Sequence, residues 1–114
     1  MEKNLLESLL SELRRGTLIL CVLSQLHESC YGYALIQALE EKGISVDANT
    51  LYPLLRRLEK QGLLCSEWIT SETKPRKYYK RTTYGDQIYS KLAEQWKELS
   101  AGVTLLLEGE NRHG

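Results

Sequence analysis

The stretch Asp47–Leu64, DANTLYPLLRRLEKQGLL, carries the pattern that decides the fold. At about 100° per residue, its leucines at positions 51, 54, 55 and 58 fall within an arc of roughly 100° on a helix. Polar and cationic side chains spread over the opposite face, namely Asn49, Tyr52, Arg56, Arg57 and Lys60. Amide, phenol, guanidinium and ammonium groups are the types that bind phosphate oxygens and base edges in a DNA groove. The alternative interpretation is a solvated helix face that binds nothing.

Length and charge limit the class of protein. The chain has 114 residues, of which 42% are hydrophobic and 26% charged, enough for one compact domain with a modest core. The formal net charge is zero, so the whole-chain charge gives no indication of a nucleic-acid partner. Between Arg56 and Arg81, however, eight basic residues stand against three acidic ones, and the remainder of the chain is correspondingly acidic. A localised anionic partner would leave this distribution, although a surface of mixed charges could give the same count by chance.

Several classes of site are not expected. The three cysteines, Cys21, Cys30 and Cys65, have no CxxC spacing and the two histidines are far apart, so neither disulfides nor a metal or other cofactor is predicted. No nucleophile, base and orienting group occur together, and no glycine-rich phosphate loop is present, so an enzyme is not expected. The longest apolar run, Leu18–Leu23, is too short to cross a bilayer, and the N-terminus lacks a cleavable signal pattern. The sequence predicts a cytoplasmic protein with no membrane partner.

Two helical segments precede the opening stretch. Apolar residues recur at helical spacing from Asn4 to Leu26, which predicts one long helix with Gly16 as the place for a bend. A second, short helix follows residues 31–33 and ends at Gly43, where glycine suits the left-handed residue beyond a helix. A tight connection leads to the third helix, in an arrangement typical of a helix-turn-helix.

Two residue types shape the start of the third helix. Asp47 or Asn49 can accept the free backbone N–H groups of its first turn. Pro53, a few residues further on, lacks an N–H group and is expected to bend or tighten that turn without ending the helix.

A β-hairpin is predicted directly after the third helix. Leu64–Thr70 and Arg76–Thr82 are rich in strand-favouring residues, and turn-forming residues separate them. A hairpin in this position is the wing of a winged-helix domain, and its cations would lie where they can meet backbone phosphates. The alternative is an exposed edge strand that lysine and arginine protect from aggregation.

The last predicted helix runs from about Tyr84 to Leu107. Its apolar residues follow at spacings of three and four, the seam of a helix that packs along another helix: Tyr89, Leu92, Trp96, Leu99, Val103 and Leu106. At about 1.5 Å per residue the helix is roughly 35 Å long, more than a small winged-helix core can cover, which favours a dimer. The first helix carries a leucine stripe that is either a second partner surface or part of the core: Leu6, Leu9, Leu10 and Leu13.

Four groups of residues, in this order, resemble the PadR family of bacterial transcriptional regulators. They are Leu13-Arg14-Arg15-Gly16-Thr17-Leu18, Tyr31-Gly32-Tyr33, Thr50 to Leu55 with Arg57-Leu58-Glu59 and Gly62-Leu63, and Arg76 to Tyr79 with Thr82 and Gly85. The single helix after the hairpin is similar to the smaller branch of that family. The resemblance implies a homodimeric winged-helix DNA-binding protein, usually a repressor, that dimerises through its last helix and its partner's N-terminal helix. Some members respond to phenolic acids or to flat, hydrophobic toxic compounds.

One residue departs from the family pattern. Arg81 stands where the pattern has an apolar residue before the threonine. This puts the core-facing register of the second strand in question and suggests an added phosphate contact.

The expected fold is therefore mainly α with a small β-hairpin (α+β), in which long N- and C-terminal helices form a dimer interface. Residues 1–82 would form the winged helix-turn-helix, 83–108 the dimerisation helix and 109–114 a flexible tail. The expected function is a homodimeric, sequence-specific regulator of transcription, a repressor relieved by a small aromatic or hydrophobic effector. The alternative is a winged-helix module that binds protein and has no specific affinity for DNA.

Two sets of site residues follow from these expectations. The residues expected to bind double-stranded operator DNA are Tyr31, Tyr33, Asn49, Thr50, Tyr52, Arg56, Lys60, Lys74, Arg76 and Lys77. The dimer and effector interface is expected at the six seam residues of the last helix and the four leucines of the first. Trp96, at the centre of the seam, either packs between helices or lines an apolar slot for a planar aromatic compound.

Overall fold

The fold is built from five helices and a small sheet within the part of the chain that the computed structural model describes, residues 2–70 and 74–113. The elements are α1 (Glu2–Arg15), α2 (Leu18–Gln25), β1 (Cys30–Tyr31), α3 (Gly32–Glu41), α4 (Ala48–Lys60), β2 (Leu64–Ile69), β3 (Arg76–Arg81) and α5 (Thr83–His113). The three strands form one antiparallel sheet in the order β1-β3-β2. The predicted mainly α architecture with a small β-hairpin is confirmed.

The expected single helix from Asn4 to Leu26 is two helices, so that prediction is wrong. The chain turns at Gly16 and Thr17, between α1 and α2. The backbone N–H and the hydroxyl of Thr17 both donate to the Arg14 carbonyl, at 3.1 and 2.8 Å. These local hydrogen bonds of Thr17 compete with continuation of the helix, and α2 restarts when the Cys21 N–H donates to the Thr17 carbonyl.

The core lies between α2, α3, α4 and the base of the sheet. Its buried members are mostly leucines: Val22, Leu23, Leu26, Leu35, Leu39, Leu51, Leu54, Leu55, Leu58, Leu63, Leu64 and Tyr79. The four leucines of the predicted apolar face of α4 are all among them. Burial of that face fixes the rotation of α4 about its axis, and its polar side chains are therefore held outward.

The N-terminal cap of α4 is Asp47. Its Oδ1 accepts the Thr50 N–H at 2.8 Å, which satisfies one of the free donors of the first turn. Pro53 lies inside α4 without ending it, because its missing N–H leaves only one early carbonyl, that of Asn49, without its helical partner. Of the two predicted cap residues, Asp47 and Asn49, Asp47 is therefore the one that caps the helix.

The predicted hairpin is observed, and each of its two strands ends one residue earlier than predicted. Leu64 pairs with Arg81 and Ile69 with Arg76, while the short strand β1 adds the pair Cys30 and Tyr79. Most of the predicted turn, residues 71–73, lies outside the described residues. Two residues are too few to show an alternating pattern, which is why β1 was not predicted.

The base of α5 is held closely against the rest of the domain. Thr82 Oγ1 accepts the Gly85 N–H at 2.9 Å and donates to the Gly62 carbonyl at 2.7 Å. A Cβ atom at Gly85 would lie 2.0 Å from the Leu63 carbonyl oxygen, so only glycine permits this approach. The helix continues to His113, beyond the expected end at Leu107, and includes most of the segment expected as a tail.

The molecule is elongated because α1 and the distal part of α5 extend away from the core. The radius of gyration is 17.0 Å, whereas a compact domain of this length would have about 13 Å. Leucines on both projecting helices are exposed, among them Leu6, Leu9, Leu13, Leu99 and Leu106. No helix among the described residues is long and apolar enough to cross a membrane.

Candidate nucleic-acid interface

The outward face of α4 presents one continuous polar stripe. Asn49, Tyr52, Arg56 and Lys60 are all exposed and, at about 100° per residue, fall within roughly 80° of one another. Thr50 is also exposed, about a quarter of a turn away, beside the helix start that Asp47 caps. The structure thus brings together the five candidate DNA-binding residues of the third predicted helix.

Tyr52 contacts the first residue of α3 and belongs partly to the fold. A Cβ atom at Gly32 would lie 2.4 Å from Tyr52 Cε1 and 2.6 Å from its hydroxyl oxygen. The ring therefore lies directly on the backbone at the start of α3, and 36% of the residue stays exposed. This packing holds the phenol in one position at the edge of the polar stripe.

The two tyrosines that flank Gly32 have different surroundings. Tyr33 is exposed at the start of α3, as a surface contact requires. Tyr31 is half-buried in β1, where its ring packs edge-on against Tyr78, at 5.4 Å between centroids. The Arg76 guanidinium lies over the Tyr31 ring, at 4.5 Å from its centroid. Tyr31 therefore orients a cation of the hairpin as well as offering a surface of its own.

The hairpin cations lie beside α4 and one of them is tied to it. Lys74 is exposed before β3. Lys77 Nζ lies 3.5 Å from Glu59 Oε1 on α4 and above the Tyr79 ring. The Ser66 hydroxyl of β2 donates to the other carboxylate oxygen of Glu59. Since Glu59 contacts both strands of the hairpin, it fixes the hairpin relative to the polar stripe.

A groove between α4 and the hairpin combines aromatic and basic side chains. Its lining consists of Tyr31, Gly32, Tyr52, Arg56, Trp68, Pro75, Arg76, Lys77 and Tyr79. Trp68 is 64% exposed and pairs with Lys77 across the hairpin. Trp68 was not predicted as a site residue; it lies on the same strand face as Leu64, which is buried in the core. That face passes from core to solvent as the hairpin extends outward.

A second basic surface adjoins the start of α4. Arg14 and Arg15, at the end of α1, line a depression together with Thr50 and the connection between α3 and α4. From sequence alone, two arginines in a last helical turn are explained by the helix dipole. Only the turn at Thr17 brings them towards Thr50.

Arg81 is not available to a phosphate, which corrects the expectation drawn from the sequence. Its Nη1 donates to the Leu23 carbonyl at 2.9 Å and its Nε to Asp86 Oδ1 at 2.9 Å. The guanidinium also lies over the Tyr89 ring, at 4.3 Å from the centroid, and only 12% of the side chain is exposed. The guanidinium therefore binds groups of the fold, and Tyr79, two residues earlier in β3, remains buried.

An apolar groove runs between the α1–α2 turn and α5. It has a volume of about 550 Å³ and contains five of the predicted interface residues, Leu13, Leu92, Trp96, Leu99 and Val103. Trp96 is 43% exposed there. Leu6, Leu9 and Leu106 are exposed elsewhere on α1 and α5, and Leu10 is partly covered. Tyr89 instead packs within the chain beneath Arg81.

Cysteine thiols and metal-binding side chains contribute little to the candidate nucleic-acid interface. Burial raises the pKa of the Cys21 and Cys30 thiols, which favours the unreactive protonated form at neutral pH. Among the residues that the structure describes, no three His, Cys, Asp or Glu side chains are placed to hold a metal ion.

Comparison with known proteins identifies the family. The family model described as Transcriptional regulator PadR-like family matches residues 19–91. The chain belongs to this family. A PadR family regulator from Eggerthella lenta has a crystal structure with 52% identity and a TM-score of 0.85, covering 94% of this chain and 96% of that one. A PadR-like regulator from Bacillus cereus has 32% identity and a TM-score of 0.78, with 85% and 97% covered.

A curated relative is also named as a transcriptional regulator. The transcriptional regulator Rv3488 of Mycobacterium tuberculosis is 36% identical over 73 residues, which cover 64% of this chain and 68% of the relative. The chain is thus a PadR-family winged-helix transcriptional regulator, a DNA-binding protein and not an enzyme.

Proposed function

We propose that this PadR-family protein is a homodimeric, sequence-specific repressor that places α4 in the major groove of its operator. The observation that carries the proposal is the polar stripe of α4, with basic hairpin residues beside it. The major groove, about 12 Å wide, admits one α-helix and exposes a distinct hydrogen-bonding pattern for each base pair. Arg56, Lys60 and Asn49 have the donors and acceptors that such a pattern requires.

The hairpin supports the proposal by its position. A single sugar–phosphate backbone separates the major groove from the neighbouring minor groove. With α4 in the major groove of the DNA, that sugar–phosphate backbone would run along the protein groove between α4 and the hairpin. Arg76 and Lys77 would then meet phosphates, and Trp68 would pack against deoxyribose. Phosphate contacts of this kind position a protein on DNA without reading its sequence.

The apolar faces of α1 and α5 support a dimer. A monomer seldom exposes so continuous an apolar surface, and its burial would remove the exposed leucines and Trp96 from water. A two-fold dimer would present two copies of α4 to two half-sites of a pseudo-palindromic operator. As a regulator of bacterial genes, it would act in the cytoplasm.

Salt dependence separates this function from the alternative of a protein-binding module. Each phosphate contact releases counterions, so the logarithm of DNA affinity should fall linearly with the logarithm of salt concentration, by about 0.9 per contact. We expect a steep slope for a selected operator duplex, measured by fluorescence anisotropy between low and physiological salt. Weak binding with a flat slope would favour the protein-binding module instead.

Neutralising two hairpin cations should weaken binding to every DNA sequence alike. We expect the double substitution Lys74→Gln with Arg76→Gln to flatten the salt slope by about 1.8, two phosphate contacts at about 0.9 each. The control is Lys91→Gln with Lys97→Gln, which removes two exposed cations from α5 and should leave the slope unchanged. An unchanged slope in the hairpin variant would favour the protective-edge interpretation of these charges.

We also propose that the two α5 helices of the dimer leave an apolar slot at Trp96, and that this slot binds a planar aromatic or hydrophobic effector that releases the repressor from DNA. The groove is lined by apolar groups and a half-exposed indole, the surroundings that favour stacking of a flat ring. To regulate, the effector must bind one DNA-binding state more tightly than the other.

Tryptophan emission can test the effector site. In a Trp68→Phe background, titration with a panel of flat aromatic compounds should quench Trp96 emission saturably, and the same compounds should lower operator affinity. The paired variant Trp96→Phe, with Trp68 retained, controls for quenching at the hairpin. Absence of quenching across the panel would leave Trp96 with a packing role alone. Its truncation to alanine would then mainly weaken the dimer, because the residue is only half-covered within one chain.

A further inference from the structure

We propose that Arg81 is a positioning residue that sets the angle between the helix-turn-helix and α5, and thereby the spacing of the two half-sites that a dimer binds. The inference rests on the proposed function, since it needs two DNA-binding units joined through α5. It concerns a different property, the distance between those units rather than the contacts that each makes with DNA.

Arg81 joins three elements through separate groups. Its backbone N–H donates to the Leu26 carbonyl at 2.8 Å, and its Nη1 donates to the Leu23 carbonyl at 2.9 Å, both at the end of α2. Its Nε donates to Asp86 Oδ1 at 2.9 Å, and its guanidinium covers the Tyr89 ring on the next turn of α5. The end of β3, the end of α2 and the first two turns of α5 are therefore connected at one residue.

The contacts suit arginine in particular. The last carbonyls of a helix carry partial negative charge, and the Leu23 carbonyl, which also accepts the Leu26 N–H at 3.2 Å, has a second lone pair for a cation. A planar guanidinium can donate in two directions while its face stacks on an aromatic ring. Lysine carries a compact charge and cannot make all three contacts at once.

The remaining attachments of the α5 base lie on another side. Thr82 bonds to the Gly62 carbonyl, and Gly85 lies against the Leu63 carbonyl, both between α4 and β2. Arg81, Asp86 and Tyr89 instead connect α5 to α2. The helix base is thus held from two sides. Loss of the Arg81 contacts removes the hydrogen bonds on the α2 side and leaves there only the apolar packing of Ile88 and Tyr89 against the core.

A small change of angle at this base is large at the other end of α5. From Asp86 to Leu106 the helix extends about 30 Å, so a tilt of about 10° moves its distal end by about 5 Å. One base-pair step of DNA is about 3.4 Å along a strand. Half-site spacing in a dimeric regulator is set by the geometry of the dimer, so such a tilt changes which spacing fits.

The test measures affinity for duplexes whose half-sites are moved apart or together by one and two base pairs, with a single half-site duplex as reference. The wild-type dimer should prefer one spacing strongly. Arg81→Leu, which keeps an apolar stem but removes the donors, should reduce the preference for that spacing at least about fivefold while half-site affinity stays within about twofold. Arg81→Lys and Asp86→Asn, which each keep part of the contacts, should give intermediate preferences.

The control is Glu94→Gln, which removes an exposed carboxylate elsewhere on α5 and should retain the wild-type spacing preference. The inference is overturned if Arg81→Lys and Asp86→Asn both keep the wild-type preference, whether or not Arg81→Leu folds. It is also overturned if Arg81→Leu weakens all duplexes, including the half-site, by one common factor, since that indicates a folding role only. A wild-type protein that is monomeric or does not bind DNA overturns the proposed function together with this inference.

Discussion

Replacing Leu99 by glutamate is expected to convert the protein into a monomer and to remove its tight binding to the operator. Leu99 is 62% exposed within one chain, although it lies on the apolar seam of α5 between Trp96 and Val103. In a dimer joined along this seam, the substitution buries an unpaired carboxylate, which costs about 3–5 kcal/mol. The dissociation constant of the dimer should therefore rise at least about 100-fold.

Sedimentation velocity at micromolar concentration measures this effect directly. The matched control is Ala101→Glu, which introduces the same charge at an exposed position of α5 about 200° away from Leu99. The control should remain dimeric with wild-type operator affinity. If Leu99→Glu remains dimeric, the seam is not the interface, and the proposed arrangement of the two DNA-binding units is wrong.

The second large effect is expected on the outward face of α4. Arg56→Ala and Lys60→Ala should each cost about 1–3 kcal/mol of operator binding, roughly 5- to 150-fold in affinity. Each should also relax sequence preference at one position of the half-site, because a lost base contact no longer distinguishes base pairs. Competition binding against a set of single-base operator variants measures affinity and preference together.

The controls for these variants remove the same positive charge from another part of the protein. Lys91→Ala and Lys97→Ala remove exposed cations from α5 and should change operator affinity little. Both α4 side chains project away from the core, so the free energy of unfolding should change by less than about 0.5 kcal/mol. Unchanged operator affinity in Arg56→Ala and Lys60→Ala at physiological salt would contradict the major-groove assignment of α4.

The sequence predicted the structure best where one hydrophobic period runs through a whole helix or strand. The leucines of α4 are all buried because a helical repeat with a leucine at nearly every inward position leaves only one way to pack. The hairpin was predicted from strand-favouring residues on either side of a turn, and its strands pair without interruption from Leu64 with Arg81 to Ile69 with Arg76. The polar stripe of α4 could therefore be predicted from the order of its residues alone.

Contacts between distant residues could not be predicted in this way. The pairing of Lys77 with Glu59 and the position of the Tyr52 ring on Gly32 depend on how elements meet. Arg81 is another example. A cation in a basic strand is predicted to lie at the surface, and only the folded structure shows that its guanidinium donates to a carbonyl of α2. The bend predicted at Gly16 is a full break between α1 and α2, because the hydrogen bonds of Thr17 end the first helix there.

The most direct test of the central claim is selection of binding sites from random double-stranded DNA by the purified protein. If α4 reads base edges as part of a two-fold dimer, the selected duplexes should converge on a pseudo-palindrome. Its half-site centres should lie about 10 base pairs, or a multiple of that, apart. A selected pool with no shared sequence, bound no more tightly than the starting pool, would contradict sequence-specific recognition by this protein.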